Sequence, residues 1–153
     1  MLVFFQGSKQ MKTVLVFGTF DALHPGHEYF LKKAKEYGER LIVVVARDSF
    51  VQSFKHKRPL HDEISRLHFI QNHPLVSEAC LADEEIGRFS ILNRIRPDVI
   101  CLGHDQLALA DSIHEWMKHS DHHYKIKHLK PFNRDLYSST LLNRIKGQLA
   151  PEK

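Results

Sequence analysis

A stretch rich in glycine and histidine near the amino end holds the residues best suited to chemistry. It reads Gly18-Thr19-Phe20-Asp21-Ala22-Leu23-His24-Pro25-Gly26-His27 and directly follows a short apolar run. Pro25 is typical of a first helical turn, because it fixes φ and needs no amide partner there. We therefore expect a strand-to-helix junction, in which Gly18 allows a tight turn and Gly26 leaves room for another group beside the backbone.

The two histidines of this stretch lie just before and within the predicted first turn. A helix N-terminus offers free N–H groups and a partial positive charge, which favour a phosphate. His24 and His27 beside such a site can donate hydrogen bonds to phosphoryl oxygens and stabilise charge that develops during transfer. Two other interpretations stay open. The histidines could merely cap or pack the helix, or their His-x-x-His spacing could bind zinc, although cysteine or carboxylate ligands of standard spacing are missing nearby.

Short apolar runs alternate with stretches of helical period along the chain. Runs rich in β-branched residues predict strands of a parallel sheet that is covered on both faces. The predicted strands are 14–17, 41–46, 76–81, 98–102 and 125–129, and the predicted helices are 25–37, 62–71, 89–95, 107–118 and 139–149. This order predicts an α/β fold, a Rossmann-like, doubly wound, parallel five-stranded sheet in a single domain. Ligands of such sheets bind beyond the carboxyl ends of the strands.

Composition excludes several classes of protein. The chain has 153 residues, 42% hydrophobic and 26% charged, which suits one soluble domain and argues against disorder. No apolar run approaches the roughly 20 residues that span a bilayer, so we expect no membrane partner. Cys80 and Cys101 are too few for a disulfide framework, which favours a reducing, cytoplasmic location. The net charge of +4 suits an anionic small substrate as well as nucleic acid.

The first ten residues are expected to be foreign to the domain. The segment Phe4-Phe5-Gln6-Gly7-Ser8 resembles the remnant of a protease-site tag, and a second methionine follows at Met11. We therefore assign residues 1–10 to a tag remnant and residues 11–150 to the domain. A genuine short N-terminal strand is the alternative.

The stretch from Gly18 to His27 resembles the GTFDxxHxGH signature of the cytidylyltransferase-like nucleotidyltransferases. This resemblance implies that His24 and His27 hold the α- and β-phosphate oxygens of a nucleoside triphosphate. It also implies a nucleotide site to which further residues of the stretch contribute, namely Gly18, Thr19, Phe20, Asp21 and Gly26.

Two later segments extend the resemblance. Gly103 and Asp105 resemble the Gly-x-Asp loop that closes over the base and ribose in this family, and the alternative is an ordinary strand end with a helix-capping Asp105. Ser138, Ser139 and Thr140 resemble the hydroxyl-rich turn before the last helix, where hydroxyls and amides can bind distal phosphates. An N-cap role for these three residues is compatible with phosphate binding.

Basic and acidic residues complete the implied site. Lys55, Lys57 and Arg58, with Arg66 on the next helix, resemble the cationic group that meets the triphosphate and the incoming phosphate, and a solvated basic loop is the alternative. Mg²⁺ would arrive with ATP or CTP, because this ion prefers phosphate oxygens together with one or two carboxylates. Asp21 and Asp105 are the implied metal ligands, although Asp21 could instead brace the loop by accepting hydrogen bonds from backbone amides.

Within the family, several short segments are most similar to archaeal-type FAD synthetases. These segments are residues 44–48, the Arg58-Pro59 pair and residues 102–106. By contrast, residues 133–140 lack the Gly-Ile pair of the glycerol-3-phosphate cytidylyltransferases. The resemblance therefore implies transfer of AMP from ATP to FMN, giving FAD and pyrophosphate.

Two alternatives to this activity stay open. One is cytidylyl or adenylyl transfer to glycerol 3-phosphate or a sugar phosphate, and the other is a nucleotide-binding module without catalysis. The expected partners are a nucleoside triphosphate, a small phosphorylated acceptor and, by resemblance, a second copy of the chain. Nucleic acid is not expected, because no aromatic residues interleave with the basic run 55–58.

Overall fold

A computed structural model describes residues 11–132 of the chain. The strands within that range are β1 (Thr13–Gly18), β2 (Arg40–Val45), β3 (Glu78–Leu81), β4 (Val99–Leu102) and β5 (Lys125–His128). The helices are α1 (Pro25–Lys35), α2 (Asp48–Lys55), α3 (Glu63–Gln71), α4 (Ser90–Ile95) and α5 (Leu107–Lys118). The predicted tag, the hydroxyl-rich turn and the predicted helix 139–149 lie outside the described residues. No helix of residues 11–132 is long and apolar enough to cross a membrane.

The strands form one parallel sheet with the order β3-β2-β1-β4-β5. Strand β1 is central and pairs with β2 on one side and with β4 on the other. The winding of the chain reverses between β1 and β4, which is where ligands bind in doubly wound sheets. The predicted five-stranded, doubly wound fold is confirmed, and the elements it shares with the prediction differ only at their ends.

Successive residues of the buried strands enter two separate cores, one on each face of the sheet. On one face α1 and α3 pack through residues such as Leu31 and Ile70. On the other face α4 and α5 pack through residues such as Leu92 and Ile113. Because both faces are covered, the strand ends and the loops that follow them are left to form a site.

Helix α2 is absent from the sequence prediction, which places the basic run 55–58 in a loop. The helix has eight residues, and its N-cap residue Arg47 makes no side-chain capping bond, so a common start signal is missing. The spacing of Phe50, Val51 and Phe54 is the signal that could have revealed it. Lys55 is the last residue of α2, and Lys57 and Arg58 lie in the loop beyond it.

The buried face of α3 also differs from the prediction, which places Ile64, Leu67 and His68 on one apolar stripe. Ile64 is 61% exposed, whereas Arg66 and Ile70 are fully buried. His68 is exposed, and only Leu67 packs partly against the core. The prediction is wrong for Ile64 and His68 because buried acceptors accommodate an arginine on the inner face, and hydrophobic periodicity takes no account of such acceptors.

Two isoleucine substitutions in α3 test which face is buried. Ile70→Ala should lower the free energy of unfolding by about 2–5 kcal/mol, because it leaves a cavity in the core. Ile64→Ala should change it by about 0.5 kcal/mol or less, as expected for an exposed position. Urea unfolding measures both values, and equal losses would contradict the described orientation of α3.

Candidate active site

The stretch from Gly18 to His27 joins the carboxyl end of β1 to α1 and takes up a tightly fixed shape. Phe20 and Ala22 have left-handed φ values of 54° and 56°, which residues other than glycine rarely adopt. A Cβ atom at Gly18 would lie 2.6 Å from the Phe20 ring. A side chain at Gly18 would therefore displace the ring that packs over the turn.

Phe20 is buried, although the sequence resemblance implies that it lines the nucleotide site. Its side chain is 2% exposed. Its ring centre lies 5.5 Å from that of His27 and 6.5 Å from that of Phe30. The expectation of a nucleotide contact is wrong for this side chain. The Phe20 side chain instead anchors the loop in the core and packs against the His27 ring.

His24 and His27 together cap the amino end of α1. The Nδ1 atom of His24 accepts a hydrogen bond from the Gly26 amide at 3.0 Å, and the Nδ1 atom of His27 accepts one from the His24 amide at 3.3 Å. The two rings stack with their centres 3.8 Å apart. A Cβ atom at Gly26 would lie 2.9 Å from His24 Cε1, so the room that Gly26 provides is used by His24 itself.

The amides of the first turn of α1 are engaged within the protein. The Gly26 amide bonds to His24 Nδ1, and the amides of His27 and Glu28 donate to the His24 carbonyl oxygen at 2.9 and 3.1 Å. Pro25 has no amide hydrogen. The prediction of free amides for a phosphate is therefore wrong, and the imidazole side chains are the donors that the first turn offers to an anion.

The capping bonds fix which nitrogen of each neutral ring carries the proton. Because Nδ1 accepts a hydrogen bond in both residues, the hydrogen of each neutral imidazole lies on Nε2. Burial, together with the nearby His24 and Lys55, lowers the pKa of His27 to about 4. His27 is thus neutral near pH 7 and presents a single N–H donor.

Helix α2 brings Lys55 to the loop that contains the histidines. Its Nζ atom donates a hydrogen bond to Thr19 Oγ1 at 3.1 Å, although 36 residues separate the two in the chain. Lys57 is exposed in the loop that follows α2. The Lys55 ammonium group therefore lies next to the turn that contains the two imidazoles.

Arg66 is buried behind the loop and does not face the site. Its guanidinium donates to the carbonyl oxygens of Thr19 at 2.8 Å and His61 at 3.0 Å, and to Asp48 Oδ1 at 2.7 Å. The side chain is fully buried and all three of its nitrogens are occupied. The prediction that Arg66 meets the phosphates is wrong, because a charge with these partners is held inside the fold.

Asp21 braces the loop, which is the alternative that the sequence left open. Its two carboxylate oxygens accept hydrogen bonds from the amides of Leu60 at 2.6 Å and His61 at 2.9 Å. Burial by itself raises the pKa of Asp21, but the bonds from Leu60 and His61 outweigh it and leave the pKa below its usual value. Because both oxygens are used, Asp21 does not suit a metal ion.

Gln106, which the sequence analysis missed, joins β1 and β4 where the winding reverses. Its Oε1 accepts from the Gly103 amide at 2.8 Å, and its Nε2 donates to the Phe17 carbonyl oxygen at 3.0 Å. No local pattern signals this bridge, because its second partner, Phe17, lies far away along the chain in β1. Asp105 is exposed, and Gln106 occupies the N-cap position of α5 without a capping bond. The capping alternative for Asp105 is therefore wrong.

The structure thus gathers Thr19, His24, His27 and Lys55 at the carboxyl end of β1, with Gly103 and Asp105 after neighbouring β4. Ser138, Ser139 and Thr140 lie outside the described residues. Within residues 11–132, no group of three or more His, Cys, Asp or Glu side chains could hold a metal ion. The zinc interpretation of the histidine spacing consequently gains no support.

A doubly wound α/β sheet with paired imidazoles after its central strand is the architecture of a nucleotide-binding enzyme. More narrowly, the chain belongs to the cytidylyltransferase-like family, whose model matches residues 15–146. The family and the nucleotidyltransferase class predicted from the sequence are confirmed.

Known proteins of similar sequence carry a common name. The FAD synthase of Methanothermobacter marburgensis is 37% identical over 134 residues, which are 86% of this chain and 82% of the relative. The FAD synthase of Methanohalophilus mahii is 39% identical over 131 residues, which are 84% of this chain and 89% of the relative.

Solved structures share the fold. The lipopolysaccharide core biosynthesis protein of Thermoplasma volcanium has a TM-score of 0.69 at 34% identity, and the match covers 81% of this chain and 100% of that one. A pantoate–β-alanine ligase of Francisella tularensis has a TM-score of 0.50 at 19% identity, over 93% and 72% of the two chains, and this likeness concerns the fold alone.

Replacement of Arg66 tests its role as a brace. Arg66→Met should lower the free energy of unfolding by about 3 kcal/mol, because it leaves two carbonyl oxygens and Asp48 without their donor. The exposed Arg58 provides a matched control, and Arg58→Met should change it by about 0.5 kcal/mol or less. Urea unfolding of both variants checks this, and a stable Arg66→Met protein would refute the role.

The low pKa of His27 predicts how stability depends on pH. Between pH 6.5 and pH 4 the unfolded chain binds a proton at His27 that the folded protein excludes, so stability falls as the pH falls through that window. His27→Gln, which cannot titrate, should show a weaker dependence. Nitrogen NMR of labelled histidine should find the Nε2–H form of His27 at pH 5.5, and a ring protonated there would contradict the capping geometry.

Proposed function

We propose that this nucleotidyltransferase transfers AMP from ATP to FMN, forming FAD and releasing pyrophosphate. The observation that carries the proposal is the pair of Nε2–H donors held at the start of α1 beside Lys55. The identity of the nucleotide and of the acceptor is supported by relatives named FAD synthase, which match most of this chain at 36–39% identity.

The reaction needs alignment more than it needs a base. A phosphate monoester such as FMN is ionised near neutral pH, so one of its oxygens can attack the α-phosphorus of ATP without prior deprotonation. A bond forms from that oxygen to the α-phosphorus. The bond from the α-phosphorus to the oxygen that bridges to the β-phosphorus breaks, and its electron pair leaves with pyrophosphate. Catalysis then rests on positioning and on stabilising charge on the phosphate oxygens.

The residues of the loop supply that stabilisation. His24 and His27 donate Nε2–H bonds to α- and β-phosphate oxygens, and their capping bonds fix the two rings before the substrate arrives. Lys55, joined by Lys57 from the adjoining loop, offsets charge on the leaving pyrophosphate and on the acceptor phosphate. Gly18 and Gly26 leave the room that the Phe20 and His24 rings occupy, and so allow the loop to hold the imidazoles in place.

Other residues are assigned to the rest of the nucleotide. Gly103 and Asp105 lie on the β4 side and are assigned to the base and ribose. Ser138, Ser139 and Thr140 are assigned to the distal phosphates.

A divalent cation, Mg²⁺ by preference, is assigned to the triphosphate and not to a site made by protein ligands alone. This ion favours phosphate oxygens with one or two carboxylates. Of the two carboxylates named from the sequence, Asp21 is occupied by backbone amides, whereas Asp105 is exposed beside Gly103. Asp105 is therefore the ligand that we assign. When bound, the ion neutralises charge on the phosphates.

A second candidate is nucleotidyl transfer to a sugar phosphate. The similar solved structure named for lipopolysaccharide core biosynthesis favours it. A pyrophosphate-release assay that crosses ATP and CTP with FMN, glycerol 3-phosphate and a hexose phosphate separates the candidates. We expect release with ATP and FMN together, and turnover confined to a sugar phosphate would replace the proposal.

Three substitutions of His27 test the role of its Nε2–H donor. His27→Ala should lower kcat by about 10²-fold or more, as the loss of one charge-stabilising donor does. His27→Gln places an amide N–H near the former Nε2, whereas the shorter amide of His27→Asn reaches only the former Nδ1 position. The glutamine variant should therefore retain more activity than the asparagine variant.

Steady-state FAD synthesis measures these effects, with His114→Ala on the exposed side of α5 as the control. The control should turn over like the wild type. Equal activity in the wild type and in all three His27 variants would refute the assigned role of the His27 Nε2–H donor.

A further inference from the structure

Helix α2 carries a pair of phenylalanines that face solvent. Phe50 is 36% exposed and Phe54 is 58% exposed, whereas Val51 on the inner side of the same helix is 2% exposed. The two phenyl rings stack on each other with centres 4.6 Å apart and planes 24° apart. The stacked pair therefore presents ring faces and edges to solvent as one exposed apolar patch.

The aromatic pair belongs to the helix whose last residue reaches the phosphate end of the site. Helix α2 follows β2 at the carboxyl edge of the sheet, and the residue after Phe54 is Lys55, whose Nζ reaches Thr19 Oγ1 at 3.1 Å. The start of α2 is tied to the same loop, because Asp48 accepts from Arg66, which also holds the Thr19 carbonyl oxygen. Both ends of helix α2 are therefore tied to the histidine loop.

The order of the strands places the aromatic pair on the side away from the assigned nucleoside. Strands β2 and β4 flank β1 on opposite sides. Gly103 and Asp105 follow β4 and are assigned to the base and ribose, whereas α2 follows β2. An acceptor that approaches the α-phosphorus from outside the nucleotide thus has the β2 side available to it.

We propose that Phe50 and Phe54 bind the flat ring system of the acceptor, with Lys55 and Lys57 receiving its phosphate. This inference rests on the proposed function, in which the acceptor is FMN. A flavin phosphate joins a planar aromatic ring to a dianionic group. The aromatic rings of Phe50 and Phe54 are likewise followed in the chain by two cations, Lys55 and Lys57. Stacking on exposed aromatic side chains is how proteins bind planar heterocycles. A sugar phosphate has no such ring and makes no use of the pair.

Substitution of the pair in the full chain tests the proposal through the Michaelis constants. Phe50→Ala/Phe54→Ala should raise KM for FMN about tenfold, in the range found when one stacking side chain is removed. KM for ATP should stay within about twofold, because the base and ribose are assigned to the other side of β1 and Lys55 is left unchanged. Phe54→Trp should keep a low KM for FMN. Ile86→Ala, at a position that is 61% exposed between β3 and α4, is the matched control.

Direct binding separates this inference from the proposed function. Stacking quenches flavin fluorescence, so FMN is titrated with wild type and double variant in the presence of a non-hydrolysable ATP analogue. If the wild type quenches flavin fluorescence and the double variant does not, the aromatic pair binds the flavin. This result would support the inference even if no FAD is made, and the lack of FAD would refute only the proposed reaction. If the double variant makes FAD with an unchanged KM for FMN, the role of the aromatic pair is refuted and the proposed reaction is not. Absence of both quenching and synthesis in the wild type refutes both.

Two further readouts guard against misinterpretation. Unchanged affinity for the ATP analogue shows that the double variant is folded, as expected for exposed positions. Light scattering with size exclusion reports the oligomeric state of each variant. A double variant that changes from dimer to monomer while its KM for FMN stays unchanged would assign the pair to contact with a second copy and overturn the proposal.

Discussion

One pair of hydrogen bonds links the start of α1 to the chemistry of the site. His24 and His27 each use Nδ1 to accept a backbone N–H, so each neutral ring must carry its hydrogen on Nε2. Protonation of His27 at Nδ1 would break the hydrogen bond that this atom accepts from the His24 amide. Burial of the ring also disfavours the charged form. Helix capping and phosphate binding are therefore not competing interpretations, because the first determines which nitrogen is free for the second.

Other residues of the site support the loop that contains the two histidine rings. Phe20 and Ala22 adopt left-handed conformations that cost about 1–3 kcal/mol each, so the loop needs support from elsewhere. Support comes from the Phe20 ring in the core, from Arg66 on the Thr19 carbonyl oxygen, and from Asp21 on the Leu60 and His61 amides. Residues 60–66 and the core of the sheet thus fix one turn, which keeps the donors in place before substrate binds.

Local sequence patterns predicted the sheet, four of the described helices and the position of the site, because strand periodicity and the Gly18–His27 stretch are local signals. They failed where a partner comes from far along the chain. Arg66 looks like a surface cation until Thr19, His61 and Asp48 are seen to surround it. The bridging role of Gln106 was missed for the same reason, since its Nε2 bonds to Phe17 in a distant strand. The engaged amides of α1 were missed for a different reason, because the His24 side chain folds back onto a neighbouring amide.

Helix α2 shows how such a failure can itself point to function. No side chain caps its start at Arg47, and its first residue is instead held by reciprocal bonds between Asp48 and Glu63 and by Arg66. These tertiary contacts and Val51 are what attach the helix to the fold, so the rings of Phe50 and Phe54 are not needed to bury it. Exposed aromatic rings weaken solubility and contribute little to folding here. Their presence one residue from Lys55 is therefore better explained by a ligand than by the stability of α2.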